Sequence, residues 1–216
     1  MTVVAEIAGP PGSGKSTLNA ALAREGVRTS DTYLSVRRAP WWALAVGATL
    51  PVLREAARAG FGRRELTWIV RLGATPNILD RELSSEGSIV FDQGPVFAMV
   101  RLHERLAGAA GLGRTTDWWT EQLAAWRDRL DVIVAVDADD STLLERIRAR
   151  GKDHAIRRLG DADAFRALSS ERAAYRSVVD GLAEGGCRVV PVDTAAADVD
   201  AAVALIASEL GAATRG

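Results

Sequence analysis

The residues with the clearest chemical meaning form a glycine-rich stretch near the start of the chain, GPPGSGKST at positions 9–17. It fits the pattern G-x-x-x-x-G-K-[ST], in which backbone N–H groups surround an anion beside a helix N-terminus. In this pattern Lys15 reaches the β- and γ-phosphates, and the Ser16 hydroxyl is a ligand of Mg²⁺. The stretch therefore predicts a site for a nucleoside triphosphate with Mg²⁺. The predicted ATP-binding residues are Gly9, Pro10, Pro11, Gly12, Ser13, Gly14, Lys15, Ser16 and Thr17.

Motifs that would send the phosphoryl group to water are missing from the sequence. A GTPase switch carries a base-reading N-K-x-D motif, which neither Asn19 nor Asn77, the only asparagines, fits. A motor ATPase usually places a glutamate directly after its strand-ending aspartate, whereas Asp92 is followed by Gln93. Transfer to a bound acceptor is therefore favoured over hydrolysis.

Asp92 ends the apolar run 88–92, and parallel sheets bind ligands at the ends of such strands. We expect it either to order Mg²⁺ through water or to accept a proton from an attacking hydroxyl. The alternatives are that Asp92 merely begins a turn, or that Asp31 is the base. Asp31 fits a simple turn or a helix cap equally well. The predicted metal-binding residues are Ser16 and Asp92.

A helix rich in arginine is predicted at about 141–150. Thr142 and Glu145 have the spacing of a capping box, and Gly151 can end the helix. Arg146 and Arg150 are four residues apart and so share a face, while Arg148 points elsewhere. Clustered guanidinium groups near a phosphate loop have an anionic target. The alternative is that these arginines form a solvated helix face.

The segment R-I-x-x-R-G-K at 146–152 resembles the lid of thymidylate kinases and deoxynucleoside kinases. The helix that ends near Tyr175 is similar to that family too, as is Val190-Pro-Val-Asp193, which looks like its fifth strand and adenine-side loop. The resemblance implies a P-loop kinase fold with ATP and Mg²⁺ as cosubstrates. It also implies a lid at about 146–160, whose Arg146 and Arg150 close over the transferring phosphoryl group. With Lys15 and Asp92, these two arginines are the predicted catalytic residues.

The acceptor half of the chain departs from this family. Gln93 stands where these kinases have an arginine after the strand-ending acid, and residues 28–31 match no known acceptor motif. The tryptophan-rich segment 41–68 is also unlike the thymidylate kinases. The resemblance therefore covers the first 25 residues and roughly 88–210, and it leaves the acceptor undefined.

The elements that must position these residues alternate along the chain. Valine- and isoleucine-rich runs at 2–8, 88–92, 131–136 and 187–192 predict buried parallel strands, with a short fifth strand at 26–29. Helical patterns lie at about 15–25, 95–108, 116–130, 141–150, 163–184 and 197–210. The prediction is an α/β chain with a doubly wound, parallel, five-stranded sheet, forming a single P-loop kinase domain over 1–216. A helical acceptor-side insert at about 30–86 contains helices at roughly 41–59 and 63–84.

Several bulky or charged residues are candidates for an acceptor site. The tryptophans at 41, 42, 68, 118, 119 and 126 predict core packing or a dimer interface, with pocket lining as the alternative. Arg37, Arg38, Arg63, Arg64, Arg71 and Arg81 could bind an acceptor phosphate. Lys152 and His154 lie in the expected lid, and His103 is expected to be structural.

The composition excludes several classes of partner. The chain has 216 residues, a formal net charge of -1 and a single cysteine, Cys187. Without a basic surplus we expect no nucleic-acid binding, and the apolar stretch 40–53 is too short to span a membrane. A lone cysteine is consistent with a reducing cytoplasm, where we expect the protein to reside. A homodimer is left open.

Together these features predict an ATP- and Mg²⁺-dependent small-molecule kinase. The favoured acceptor, by resemblance, is a nucleoside or nucleoside monophosphate. The alternatives are a kinase for a sugar, an antibiotic or a biosynthetic intermediate, and a regulatory ATPase whose nucleotide state controls a partner.

Overall fold

Five parallel strands form the centre of the computed structural model, which describes residues 2–30, 39–82, 87–107, 113–151 and 154–213. The strands are β1 (Thr2–Ala8), β2 (Arg28–Ser30), β3 (Gly87–Phe91), β4 (Val132–Asp137) and β5 (Arg188–Asp193). Their order in the sheet is β2-β3-β1-β4-β5, and every neighbouring pair is parallel. The predicted α/β class and five-stranded sheet are confirmed.

Helices cover both faces of this sheet. They are α1 (Lys15–Arg24), α2 (Ala39–Arg58), α3 (Arg63–Glu82), α4 (Pro95–Ala107), α5 (Gly113–Arg127), α6 (Asp140–Ala149), α7 (Asp161–Ala183) and α8 (Val199–Ala213). A short 3₁₀ helix, Ala155–Arg158, precedes α7. The insert between β2 and β3 contains α2 and α3, close to the predicted bounds.

Alternate residues of the strands enter two separate cores, which explains why the strands are almost wholly apolar. On one face Val4, Ile89 and Ile133 pack with side chains of α2, α3, α4, α5 and α7. On the other face Val3 and Val134 pack with side chains of α1 and α8. The two helices of the insert, α2 and α3, both pack in the first core.

Most of the described tryptophan side chains belong to the first core. Trp68, Trp118 and Trp126 are buried, and Trp119 packs partly buried against them. Core packing is thereby confirmed for these four residues. The side chains of Trp41 and Trp42 lie outside those that the structure describes, so their predicted role stays a prediction.

The predicted cap of the arginine helix is wrong in one respect. The N-cap of α6 is Asp139, whose carboxylate accepts the backbone N–H of Thr142 at 2.9 Å. Thr142 is therefore the third helical residue rather than the cap, and its hydroxyl also donates to Asp139. The Ser141 hydroxyl, followed by these Thr142 donors, holds the pKa of Asp139 below its ordinary value. Asp139 suits the N-cap position because its negative charge complements the positive partial charge of the helix N-terminus.

No helix in the described part of the chain is long and apolar enough to cross a bilayer. Helix α2 contains the apolar stretch that the sequence drew attention to, and Pro51 lies within it.

Candidate active site

The glycine-rich loop connects β1 directly to α1, as the sequence predicts. A Cβ atom on Gly9 would lie 2.0 Å from the carbonyl oxygen of Val136, and one on Gly12 would lie 2.7 Å from that of Leu143. Gly14 caps α1 with a φ of 90°, a left-handed conformation that favours glycine. No side chain caps the first turn of α1. The loop therefore packs tightly against β4 and α6, and the N-terminus of α1 is left for an anion.

Lys15 is folded back over this loop. Its Nζ donates hydrogen bonds to the carbonyl oxygens of Gly9 and Pro10, both at 2.8 Å. Burial lowers the pKa of Lys15 to about 8, while the carboxylate of Asp92 opposes that shift. The positive charges of Arg101 and Arg150 also lower it. An anion at the loop would favour the charged ammonium.

Asp92 follows β3 and faces the start of α1. The hydroxyl of Ser16 donates to its Oδ2 at 3.1 Å. The other carboxylate oxygen, Oδ1, is buried and has no hydrogen-bond partner among the described residues. A buried oxygen without a partner is costly unless a cation or donor occupies the site.

This pair of oxygen ligands fits Mg²⁺. The ion prefers oxygen ligands and is commonly held by one or two protein groups, with phosphate oxygens and water completing the shell. No cluster of three or more His, Cys, Asp or Glu side chains suited to a metal occurs in the described part of the chain. A metal at Ser16 and Asp92 would therefore depend on the nucleotide for further ligands.

Arg146 and Arg150, which the spacing placed on one helix face, have different environments. Arg146 donates to the hydroxyl and carbonyl oxygens of Thr194, each at 2.9 Å, and to the Gly12 carbonyl at 3.5 Å. Arg150 is exposed and follows the last helical residue in an extended conformation. Arg146 is thus fixed against the glycine loop, whereas the solvated-face alternative describes Arg150.

A cavity of about 410 Å³ lies beside the glycine loop toward β5. Gly12, Gly14 and Thr17 form its loop side, and Arg146, Arg150 and Thr194 form the opposite side. The Thr194 hydroxyl donates to the Ser13 carbonyl at 3.1 Å, so it ties the loop to the end of β5. Thr194 directly follows the stretch 190–193 that was predicted as the adenine side, and we call this cavity the donor cavity.

A larger cavity of about 800 Å³ opens on the β3 side of the loop. It lies between α3, α4, α7 and the 3₁₀ helix, and Gln93, the neighbour of Asp92, reaches it. Its walls include Arg64, Trp68, Arg71, Phe97, Arg101, His154, Ile156 and Glu171. We call it the acceptor cavity, because it is lined by Gln93, the neighbour of the Asp92 that is hydrogen-bonded to Ser16.

An ion pair inside the acceptor cavity was missed by the sequence analysis. Arg101 of α4 donates to Glu171 of α7 at 2.5 Å, and the Glu171 side chain is only 10% exposed. Both residues affect the pKa of Lys15, so they lie within electrostatic reach of the glycine loop. They sit on helices far apart in sequence and belong to no motif. The only local signal is the i,i+4 spacing of Phe97 and Arg101, whose guanidinium lies 5.0 Å from the ring centroid.

Glu6 is a second residue that the sequence analysis did not use for the site. It is fully buried in β1, and its carboxylate accepts the backbone N–H groups of Gly94 (3.0 Å), Val96 (2.7 Å) and Phe97 (2.9 Å). Burial raises the pKa of Glu6 to about 8 although these three donors lower it. Glu6 thereby fixes the first turn of α4 and the turn that follows Asp92. The signal for Glu6 in the sequence is an acidic residue within the otherwise apolar strand pattern at 2–8.

Arg172 anchors α7 to the end of β4. Its guanidinium contacts the carboxylates of Asp137, at 2.9 Å, and Asp140, and donates to the carbonyl of Ala138. These contacts hold the start of α6 and the middle of α7 together. The sequence offered no signal for this role beyond charge.

Of the other residues that the sequence singled out, some lie outside the described part of the chain and others lie within it. Asp31, Arg37, Arg38 and Lys152 lie outside the described residues, as does the side chain of Arg81. His154 accepts the backbone N–H of Ile156 at 3.3 Å and caps the 3₁₀ helix. His103 lies 6.2 Å from the Trp119 ring, which fits its expected structural role.

Comparison with known proteins places this arrangement in a fold class. No protein-family profile matches the sequence, and no curated protein is significantly similar to it. Deoxyadenosine kinase from M. mycoides with bound dATP superposes with a TM-score of 0.58 at 18% identity, covering 98% of this chain and 100% of that one. The same enzyme with the product dCMP and a flexible dCDP gives 0.57 at 16% identity, covering 97% and 100%.

A second protein has a comparable fold. YorR from Bacillus subtilis, in complex with phosphorylated GDP, superposes with a TM-score of 0.51 at 16% identity, covering 95% of this chain and 94% of that one. Similarity at this level of identity establishes the architecture. The chain therefore has the fold of the P-loop nucleoside kinases, as the resemblance implied.

Proposed function

We propose that the protein is a P-loop kinase that transfers the γ-phosphoryl group of ATP to a small-molecule acceptor, with a nucleoside or nucleoside monophosphate favoured. The observation that carries this proposal is the position of Asp92. It is hydrogen-bonded to Ser16 of the phosphate loop, and its neighbour Gln93 lines a separate cavity large enough for a second substrate. A hydrolase needs no such second cavity.

The sheet order supports the division into two substrate sites. The donor cavity lies beyond the end of β5, between α1 and α6, while the acceptor cavity lies at the end of β3, on the other side of β1. Ligands of open α/β sheets bind at the carboxyl ends of the strands where the strand order reverses, which here is next to β1. The names of the structural matches, which denote kinases of deoxyadenosine, agree with this assignment.

Each polar residue of the loop then has a chemical role. Mg²⁺, held by Ser16 and Asp92 with the nucleotide, would neutralise charge on the β- and γ-phosphates. Lys15 would leave the carbonyls of Gly9 and Pro10 and bind the phosphates directly. Arg150 would approach from the exposed segment after α6 and stabilise charge that spreads toward the acceptor. Asp92 would order the metal or accept the proton of the acceptor hydroxyl.

The domain organisation follows from the same assignment. We infer a single kinase domain over 1–216, with the acceptor-side insert at about 30–86 and a lid at about 146–160. The 3₁₀ helix after α6 borders the acceptor cavity through Ile156, so closure of this segment would cover the reacting groups.

The test is acceptor-dependent ADP formation. The protein is incubated with Mg·ATP and a panel of nucleosides, nucleoside monophosphates, sugars and aminoglycosides, and ADP and phosphorylated products are quantified. We expect rapid ADP formation with at least one acceptor and slow formation without any. Lys15→Ala should lower the rate by at least about 100-fold, because it removes a cation from the transition state. ADP formation that no acceptor accelerates would refute the kinase and favour the regulatory ATPase.

A further inference from the structure

The described residues that line the acceptor cavity carry more positive than negative charge. They include three arginines, Arg64, Arg71 and Arg101, and one carboxylate, Glu171. Arg101 and Glu171 are paired at 2.5 Å, so this pair contributes no net charge. A concave site that is rich in one sign of charge concentrates ligands of the opposite sign.

Arg64 and Arg71 are placed to act on one ligand. With Trp68 they occupy positions i, i+4 and i+7 of α3, which lie on one face of a helix, and all three line the cavity. Arg64 is exposed and makes no hydrogen bond or ion pair with any residue that the structure describes. The guanidinium of Arg71 lies 4.9 Å from the centroid of the Trp68 ring. Stacking on the ring orients the guanidinium plane and so limits the directions in which its N–H groups point.

The same wall carries an aromatic surface. Trp68 and Phe97 meet edge to face with ring centroids 5.3 Å apart. Aromatic rings next to arginines recognise flat ligands, because the rings bind by stacking and the guanidinium groups bind the charge. The cavity therefore combines two chemical features that few neutral sugars would satisfy.

We infer that the acceptor is a flat organic anion whose negatively charged group, a phosphate or a carboxylate, is bound by Arg64 and Arg71 and whose ring packs against Trp68 and Phe97. This inference rests on the proposed function, since it specifies the acceptor of that reaction. It selects a charged acceptor over an uncharged one such as the deoxyadenosine in the names of the structural matches.

Binding is measured separately from catalysis. Isothermal titration is run with a non-hydrolysable ATP analogue and Mg²⁺ present, so that the phosphate loop is occupied. The probes are four nucleoside 5′-monophosphates against the matching nucleosides, and 4-hydroxyphenylacetate against its uncharged amide. The first pair tests a phosphate and the second a carboxylate. We expect at least one anionic probe to bind about tenfold or more tightly than its uncharged partner, as charge-assisted hydrogen bonds provide.

Two variants assign that preference to α3. Arg64→Gln and Arg71→Gln should each remove most of the preference, while Arg63→Gln, an exposed neighbour on the same helix that does not line the cavity, should leave it unchanged. Circular dichroism checks that each variant is folded. Arg64→Gln alone decides the result if Arg71→Gln fails to fold.

The outcomes separate this inference from the proposed function. Equal affinity for charged and uncharged probes, no binding of either anion, or a preference that survives Arg64→Gln would overturn the inference. Phosphoryl transfer to an uncharged acceptor would do the same while upholding the kinase. Arginine-dependent binding of an anion without phosphoryl transfer would uphold the inference about the cavity and refute the kinase.

Discussion

Asp92 is the residue at which the proposed donor and acceptor sites meet. Its Oδ2 accepts the Ser16 hydroxyl, and its buried Oδ1 is left without a partner among the described residues. Either a metal-bound water or the acceptor hydroxyl would satisfy that oxygen. The two roles differ in how they respond to magnesium, which makes them separable by experiment.

Replacing Asp92 by asparagine keeps the shape of the side chain and removes its charge and basicity. We expect ATP binding to change only a few-fold, because Lys15 and the loop amides remain, while kcat falls by about 100-fold or more. Titrating Mg²⁺ then distinguishes the roles: rescue by excess metal assigns Asp92 to the metal, and no rescue assigns it to the proton. Asp117→Asn, an exposed aspartate of α5, is the control. Full activity of the Asp92 variant would exclude both roles.

The lowered pKa of Lys15 predicts how ATP affinity depends on pH. Burial lowers this pKa from 10.5 to about 8 in the free protein, and bound phosphates would raise it again. Binding then takes up a proton above pH 8, so ATP affinity should fall as the pH rises from about 8 until the pKa of the complex is reached. Calorimetric titrations from pH 6.5 to 9.5 measure this. Lys15→Arg keeps its charge over that range, so a slope as steep as that of the parent protein would contradict the assignment.

At the scale of elements, α6 and the residue that follows it carry three arginines with three different environments. Arg146 is bonded to Thr194 and Gly12, and Arg148 donates to the carbonyl of Leu159 and pairs with Asp161 at 2.8 Å. Arg150 lies just beyond the helix and is exposed. One arginine is therefore fixed against the loop, one holds the residues at the start of α7, and one is exposed.

Alanine variants of the three arginines should separate these roles. Arg146→Ala should weaken ATP binding and lower the melting temperature, because it breaks contacts between the loop and the end of β5. Arg150→Ala should lower kcat far more than ATP affinity, since its contact would form mainly in the transition state. Arg148→Ala should have a small effect on both, as exposed ion pairs generally do. Equal, small effects in all three would mean that the arginines form a solvated surface. Steady-state kinetics, nucleotide titration and thermal melting provide the three readouts.

At the scale of the whole molecule, the phosphate loop links the parts of the fold that are distant in sequence. Thr194 after β5, Val136 in β4, Asp92 after β3 and the loop after β1 all meet there. A ligand that bridges these segments should stabilise the native state as a whole rather than locally.

Nucleotide binding should therefore raise the melting temperature. At 100 times its dissociation constant, a Mg²⁺ complex of a non-hydrolysable ATP analogue adds about 2.7 kcal/mol to stability. For a chain of this size that corresponds to a rise of about 5–10 °C. Differential scanning calorimetry measures the rise, and Lys15→Ala should abolish most of it. A rise of the same size in that variant would mean that the nucleotide binds elsewhere.

Sequence alone determined the parts of this protein that are local in the chain. The strands, the phosphate loop and the position of Asp92 follow from short-range patterns, because glycine spacing, lysine and an apolar run specify a strand, a turn and a helix start. The insert was predicted as two helices for the same reason, with Gly60 and Gly62 marking the break between α2 and α3. The resemblance at 146–152 predicted that Arg146 and Arg150 are lid arginines, and this stays a prediction.

Only the tertiary structure decided which distant side chains share a site. Glu6 meets the start of α4 across about 90 residues, Arg101 meets Glu171 across 70, and Arg146 meets Thr194 across 48. Each pair forms because the parallel sheet and its crossovers bring segments together that no sequence period relates. A carboxylate or guanidinium buried in this way must find a partner, and that partner is set by packing rather than by local pattern. The acceptor cavity, built from four such segments, could therefore be recognised only in the folded chain.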